Sequence, residues 1–154
     1  MIKKTIFISF IVVLLILLSI FLVWQFKQCI INKTNNCYAN WDSGRLIIAY
    51  IDRHGEWPSS WDSLEPLFSK IAIKGPLDFN QIKSRVNINF KFNFSKSDIN
   101  EQIFITQKNE QKDYFERANP NKMIKDYIST KDKHGYIARM NLYPRPVKKL
   151  NPGI

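Results

Sequence analysis

Alanine does not occur before Ala39, nor glycine before Gly44. A secretory cleavage site of the A-x-A kind needs small residues ahead of the cut, and a prepilin-type site needs a glycine, so neither form of processing is expected in the amino-terminal segment. Cysteine is almost absent too: Cys29 and Cys37 are the whole complement, and the two histidines, His54 and His134, lie well away in sequence. Two thiols without neighbouring imidazoles do not close a tetrahedral zinc site. There is no phosphate loop, nucleophile elbow, zinc spacing, EF-hand or internal repeat. Asp52, His54, Glu56 and Asp62 form the one cluster of acids and imidazole, but Asp52 and His54 diverge by about 200° on a helix. No catalytic, cofactor-binding or metal-binding residue is therefore assigned, and no enzyme is expected.

What the chain does have is a run of apolar residues, Ile6 to Trp24, without charge, glycine or proline, following Lys3 and Lys4. About 20 residues at roughly 1.5 Å rise cover about 30 Å, the hydrocarbon thickness of a bilayer. The run is too long for a signal-peptide core, and a helix apolar on all sides cannot be enclosed by so small a domain. It reads as an uncleaved signal anchor spanning residues 1–27. Lys3, Lys4 and the terminal amine stand against Lys27 and Lys33 on the other side, a slight bias toward a cytoplasmic amino terminus. The carboxy-terminal domain is then periplasmic or extracellular.

In that compartment an even cysteine count suggests a bridge. Cys29 and Cys37 enclose the polar segment IINKTNN, and residues 28–39 are expected to form a cysteine loop closed by a disulfide, adding roughly 2–3 kcal/mol of stability in the chain-entropy model. The remaining residues suffice for one domain. Twenty-three Lys and Arg against 13 Asp and Glu give a net charge of +10, which favours anionic neighbours, here the membrane or an acidic protein partner. Nucleic acid is not expected as a partner.

Within 40–130 the pattern predicts an α+β domain. Asn40 caps a helix that runs to about His54 and stops at Gly55, with Trp41, Leu46, Ile47, Ile48, Tyr50 and Ile51 as its apolar stripe. Ser59 and Asp62 have capping-box spacing for a short helix limited by Pro66. Val86, Ile88, Phe90, Phe92 and Phe94 alternate with polar residues as a strand. A second strand at about Gln102 to Gln107 carries Ile103 and Ile105, and a third near Tyr114 to Arg117 completes an antiparallel β-meander on which the helix packs. Asn119 and Pro120 start a last helix through Met123, Ile124, Tyr127 and Ile128. The core is expected from Trp41, Ile48, Ile51, Trp57, Trp61, Val86, Ile88, Phe90, Phe92 and Ile105. Trp57 and Trp61 double as candidates for partner binding if they prove exposed. Residues 131–154 read as a basic, proline-containing tail, with Tyr136 to Leu142 extended, in which Arg139, Arg145, Lys148 and Lys149 are candidates for an anionic surface.

The segment AYIDRHGEWPSSWDSL, with Trp41 before it and VNINFKF after it, resembles a family of small, single-pass, uncharacterised membrane proteins of planctomycete-type bacteria. That likeness, over roughly Trp41 to Ile128, implies the topology above and little chemistry. Tyr50, Gly55, Trp57 and Pro58 also resemble the globular half of type II secretion pseudopilins, where a long amino-terminal helix ends in a tyrosine, a glycine and an aromatic-Pro pair. That likeness implies a structural subunit of a secretion or surface assembly, although the early acidic residue and the prepilin glycine of such chains have no counterpart here. The leading expectation is a membrane-anchored, non-enzymatic interaction module, and the alternative is the pseudopilin-like subunit.

Overall fold

A computed structural model describes residues 2–92, 99, 102–108 and 119–143, with side chains from Phe10 onward. The chain divides into two compact units, Met1–Thr34 and Asn35–Ile154. Its elements are five helices and two strands among the described residues: α1 (Ile2–His54), α2 (Trp61–Phe68), α3 (Phe79–Arg85), β1 (Val86–Ile88), β2 (Ile105–Gln107), α4 (Pro120–Ser129) and α5 (Lys133–Met140).

The first unit is helical throughout, and every residue from Phe10 to Lys27 is exposed. It holds the one described helix long and apolar enough to cross a membrane. The expected cysteine loop is not there, because residues 28–39 are helical. Cys29 and Cys37 are not joined. Eight residue steps of helix separate them by about 12 Å, whereas a disulfide needs Cα atoms within about 7 Å. The helix wins because Asn, Lys, Thr and Gln disfavour it only by tenths of a kcal/mol each and no proline or glycine breaks the run. A non-reducing mass measurement should therefore find no bridge between Cys29 and Cys37, and a mass two hydrogens lower would overturn the helical account of 28–39.

In the second unit α1 is the axis of the core. Residues 42–50 are buried without a break, so three to four sides of the helix are covered at once. Gly44 faces Pro120 of α4, where an added Cβ would come within 3.2 Å of the proline Cβ. Asn36 meets Arg85 of α3, and Asp42 and Arg45 meet the segment after α2 and the residues after α5. Asn40, expected as the helix cap, sits inside α1 and is 1% exposed, with neither end of its amide hydrogen-bonded. The stop at Gly55 is as expected: φ is +71°, and its N–H donates to the Ile51 carbonyl at 2.8 Å. A left-handed residue at this place is most easily glycine.

The capping box of α2 is displaced by one residue from Ser59 and Asp62. Ser60 is the cap and Ser63 its reciprocal partner, and Pro66 is accommodated inside a helix that ends two residues later. Helix α3 was not expected, though Asp78 and Gln81 form a capping box that the spacing alone carries: Gln81 N donates to Asp78 Oδ1 at 2.8 Å, and Asp78 N donates to Gln81 Oε1 at 3.0 Å.

The sheet is a two-stranded antiparallel pair with Val86 opposite Gln107, Asn87 opposite Thr106 and Ile88 opposite Ile105. The alternation read from Val86 onward holds as burial through Phe92, but pairing ends early because the chain turns at Phe90 and Lys91. Ile105 is buried as expected, whereas Ile103, just before the strand, is 63% exposed and Phe104 is buried instead. The third strand near Tyr114 to Arg117, and Phe94, lie outside the described residues. One edge of β2 is closed by a side chain: Asn121 Oδ1 accepts from Phe104 N (2.7 Å) and Ile105 N (2.9 Å), and its Nδ2 donates to Ile105 O (3.0 Å). The amide of Asn121 thus acts as a short third strand, which suppresses edge pairing at that point.

Asn119 and Pro120 open α4 as expected, Asn119 Oδ1 accepting from Asn121 N and Lys122 N. The extended segment expected at Tyr136 to Leu142 is instead α5 and its cap. Asp132 Oδ1 accepts from Gly135 N (2.8 Å), and Asn141 ends the helix in the left-handed region at φ 48°. Period-2 reading failed because the tyrosine and isoleucine there sit on a helix with local caps at both ends. Leu142 is fully buried, and its carbonyl accepts from Ala72 N at 2.8 Å, so folded structure continues past the expected boundary at residue 130. Residues 144–154 lie outside the described residues.

A buried polar clip and the candidate interaction residues

A buried, densely hydrogen-bonded polar feature among the described residues is not legible in the sequence. Asp42 and Arg45 lie three residues apart on α1, 0% and 1% exposed. Asp42 accepts backbone N–H groups from Lys74 (Oδ1, 3.0 Å) and Gly75 (Oδ2, 2.9 Å). Arg45 donates through Nε to Ala72 O (3.0 Å), Nη1 to Met140 O (2.8 Å) and Nη2 to Asn141 O (2.7 Å). The planar guanidinium thus ties the segment after α2 to the carboxy-terminal end of α5, a task that its fixed fork of donors suits. Burial raises the Asp42 carboxyl above its ordinary value, opposed by the two amides and then by the charges of Arg45 and Lys74. Burial likewise lowers Arg45, opposed by Asp42. Each charge is tolerated in the interior because the other is near and because backbone groups take up their hydrogen-bonding capacity. The clue in the sequence is a carboxylate and a guanidinium at i, i+3 within an otherwise apolar helical stretch.

A second cluster joins the end of α1 to α4 and α5. Asp52 accepts from Tyr127 Oη (3.2 Å) and Tyr143 Oη (2.9 Å), and Tyr136 Oη donates to Met123 O (2.8 Å). Arg53, Lys133 and Arg139 stand over the rings of Tyr143, Tyr127 and Tyr136. Burial, followed by the neighbouring Asp52 carboxylate, pushes Tyr127 well above the ordinary phenol value. Burial pushes Tyr136 up to about 12, helped by Asp126 and opposed by Arg139, and burial also raises Tyr143. A phenol raised on folding holds its proton more tightly in the folded state. Its stabilising contribution is complete below pH about 10 and is lost as pH rises through the folded value. Unfolding followed by circular dichroism should therefore begin above pH about 10, in step with ionisation of Tyr127 and Tyr136 followed by their own ring resonances. Ionisation of these two phenols that precedes any loss of ellipticity would contradict this coupling.

Of the expected partner-binding residues, Trp57 belongs to the core. It is 9% exposed, its Nε1 donates to Asn89 O at 2.9 Å, and its ring lies 4.9 Å from Phe92 and 5.1 Å from Phe104. Trp61 is half-buried, in edge contacts with Phe79 (5.8 Å) and Phe90 (6.0 Å). Trp41, Ile51 and Phe90, also expected in the core, are likewise half-buried. Arg139 is exposed on α5, while Arg145, Lys148 and Lys149 lie outside the described residues. Cys29 is exposed and Cys37 half-buried on α1. Asp52 and His54 do not converge: the carboxylate is held by the two phenols, and the imidazole stacks on Tyr50 at 4.4 Å.

No protein-family model, curated protein or solved structure matches this chain.

Proposed function

We propose that the chain is a single-pass membrane protein whose uncleaved amino-terminal helix anchors an α+β domain, completed by a third strand near Tyr114 to Arg117. The domain serves as a non-enzymatic interaction module. In this reading the amino terminus is cytoplasmic and the domain periplasmic or extracellular. The observation that carries it is the apolar helix whose side chains are exposed all round from Phe10 to Lys27. Such a surface is stable in hydrocarbon and strongly unfavourable in water. The half-exposed Trp61 and Phe90 supply an aromatic edge on the domain for a protein partner. A topology reporter fused to the carboxy terminus should give a non-cytoplasmic signal, and a cytoplasmic one would defeat this orientation.

One observation favours the structural-subunit alternative. Without the cysteine loop, α1 has the long amino-terminal helix that the pseudopilin likeness implies. Mass spectrometry of the amino terminus separates the two. An intact Met1 or Ile2 is the outcome expected for the anchored module, and a processed terminus supports the subunit of an assembly.

A further inference from the structure

The exposed apolar side chains of α1 continue past Trp24 through Phe26, Ile30 and Ile31, whereas Asn36 is already buried in the second unit. Ile31 and Asn36 are five residue steps apart, about 7.5 Å of helix. A headgroup layer has a similar thickness, about 5–7 Å on each side of the hydrocarbon. If the apolar helix is embedded, chain connectivity alone keeps Asn36 close to headgroup level.

Three segments tied to the first turns of α1 in the second unit carry cationic residues. Arg85 Nη1 donates to Asn36 Oδ1 at 2.7 Å. Lys108 follows directly, its backbone N–H donating to Arg85 O at 3.0 Å. Lys74 lies on the segment that binds Asp42, and its neighbour Gly75 packs so closely on Tyr38 that an added Cβ would come within 2.6 Å of the tyrosine Cβ. The Lys74 and Lys108 residues are exposed. Asp42, the carboxylate that this segment binds, is buried with both oxygens occupied and presents no charge to the outside. Lys33 lies within the five-residue interval itself.

We propose that Lys74, Arg85 and Lys108 form a docking surface for anionic phospholipid headgroups. The proposal rests on the membrane-anchored reading and adds to it a preference for lipid charge. Clustered cations near an anionic surface are attracted within roughly a Debye length, about 8–10 Å, which the five-residue interval permits.

The test uses the full chain reconstituted into nanodiscs of phosphatidylcholine, or of phosphatidylcholine with phosphatidylglycerol, with reductive methylation of each lysine read by mass spectrometry. Lys74 and Lys108 should react about fivefold more slowly in the anionic discs, with the difference lost at about 1 M salt and Lys131 unaffected. Equal rates at Lys74 and Lys108 in both lipids would overturn the proposal. Slowing confined to Lys148 and Lys149 would also overturn it, placing the contact in the tail. Failure to enter discs of either composition would remove the anchor itself, an outcome distinct from incorporation without dependence on lipid charge.

Discussion

Replacement of Arg45 by methionine should destabilise the domain by about 3–5 kcal/mol, the loss expected when one member of a buried charge pair is removed and the other stays. Methionine fills much of the volume of the arginine stem, so the loss reports the guanidinium. Three carbonyls, of Ala72, Met140 and Asn141, lose their donor, and Asp42 keeps a buried charge with Lys74 as its remaining cationic neighbour. Arg45→Lys restores the charge without the fork and should recover part of the loss, since one ammonium cannot reach three carbonyls from a single point. Denaturant unfolding of the full chain in detergent gives both values. A change below about 1 kcal/mol for Arg45→Met, within the range of a surface pair, would show that the clip contributes little.

Trp57→Ala should cost about 3–5 kcal/mol, because it removes a ring enclosed by Phe92 and Phe104 and leaves the Asn89 carbonyl without its indole donor. Trp61→Ala should cost about 1–2 kcal/mol, because a half-buried ring leaves a partly open notch that solvent can fill. The order of the two matters more than either value. Should Trp61 prove the costlier, the aromatic edge assigned to partner binding would be part of the core, and the interaction surface would have to lie elsewhere.

The parts of this fold that were legible are those with a local cause. The apolar amino-terminal helix, the glycine stop at Gly55, the Asn119-Pro120 start of α4 and the burial alternation from Val86 to Phe92 each depend on neighbours within a few residues. Misreadings arose where local signals were equivocal or distant groups decided the outcome. The IINKTNN segment has loop-like composition, yet without a glycine or proline its helix cost is small, and the backbone outweighs the cysteine spacing. Tyr136 to Leu142 carries both helical and strand-compatible residues, and Asp132 and Asn141 tipped it to helix. Asp42 and Arg45 are not legible as a clip because their partners are backbone groups up to 96 positions away, and backbone partners leave no mark in composition. Asn40 shows the converse: a good cap by residue type is not used as one when the helix runs on through it.

The Arg45 clip also sets an order of events during synthesis. Its guanidinium is made 95 and 96 residues before the carbonyls of Met140 and Asn141 that receive it. At about 5–20 residues per second the wait is about 5–20 s, during which the axis of the core exists without its closing segment. A chain interrupted before Met140 would hold that axis open, with Arg45 short of two acceptors, and would be a substrate for quality-control proteolysis.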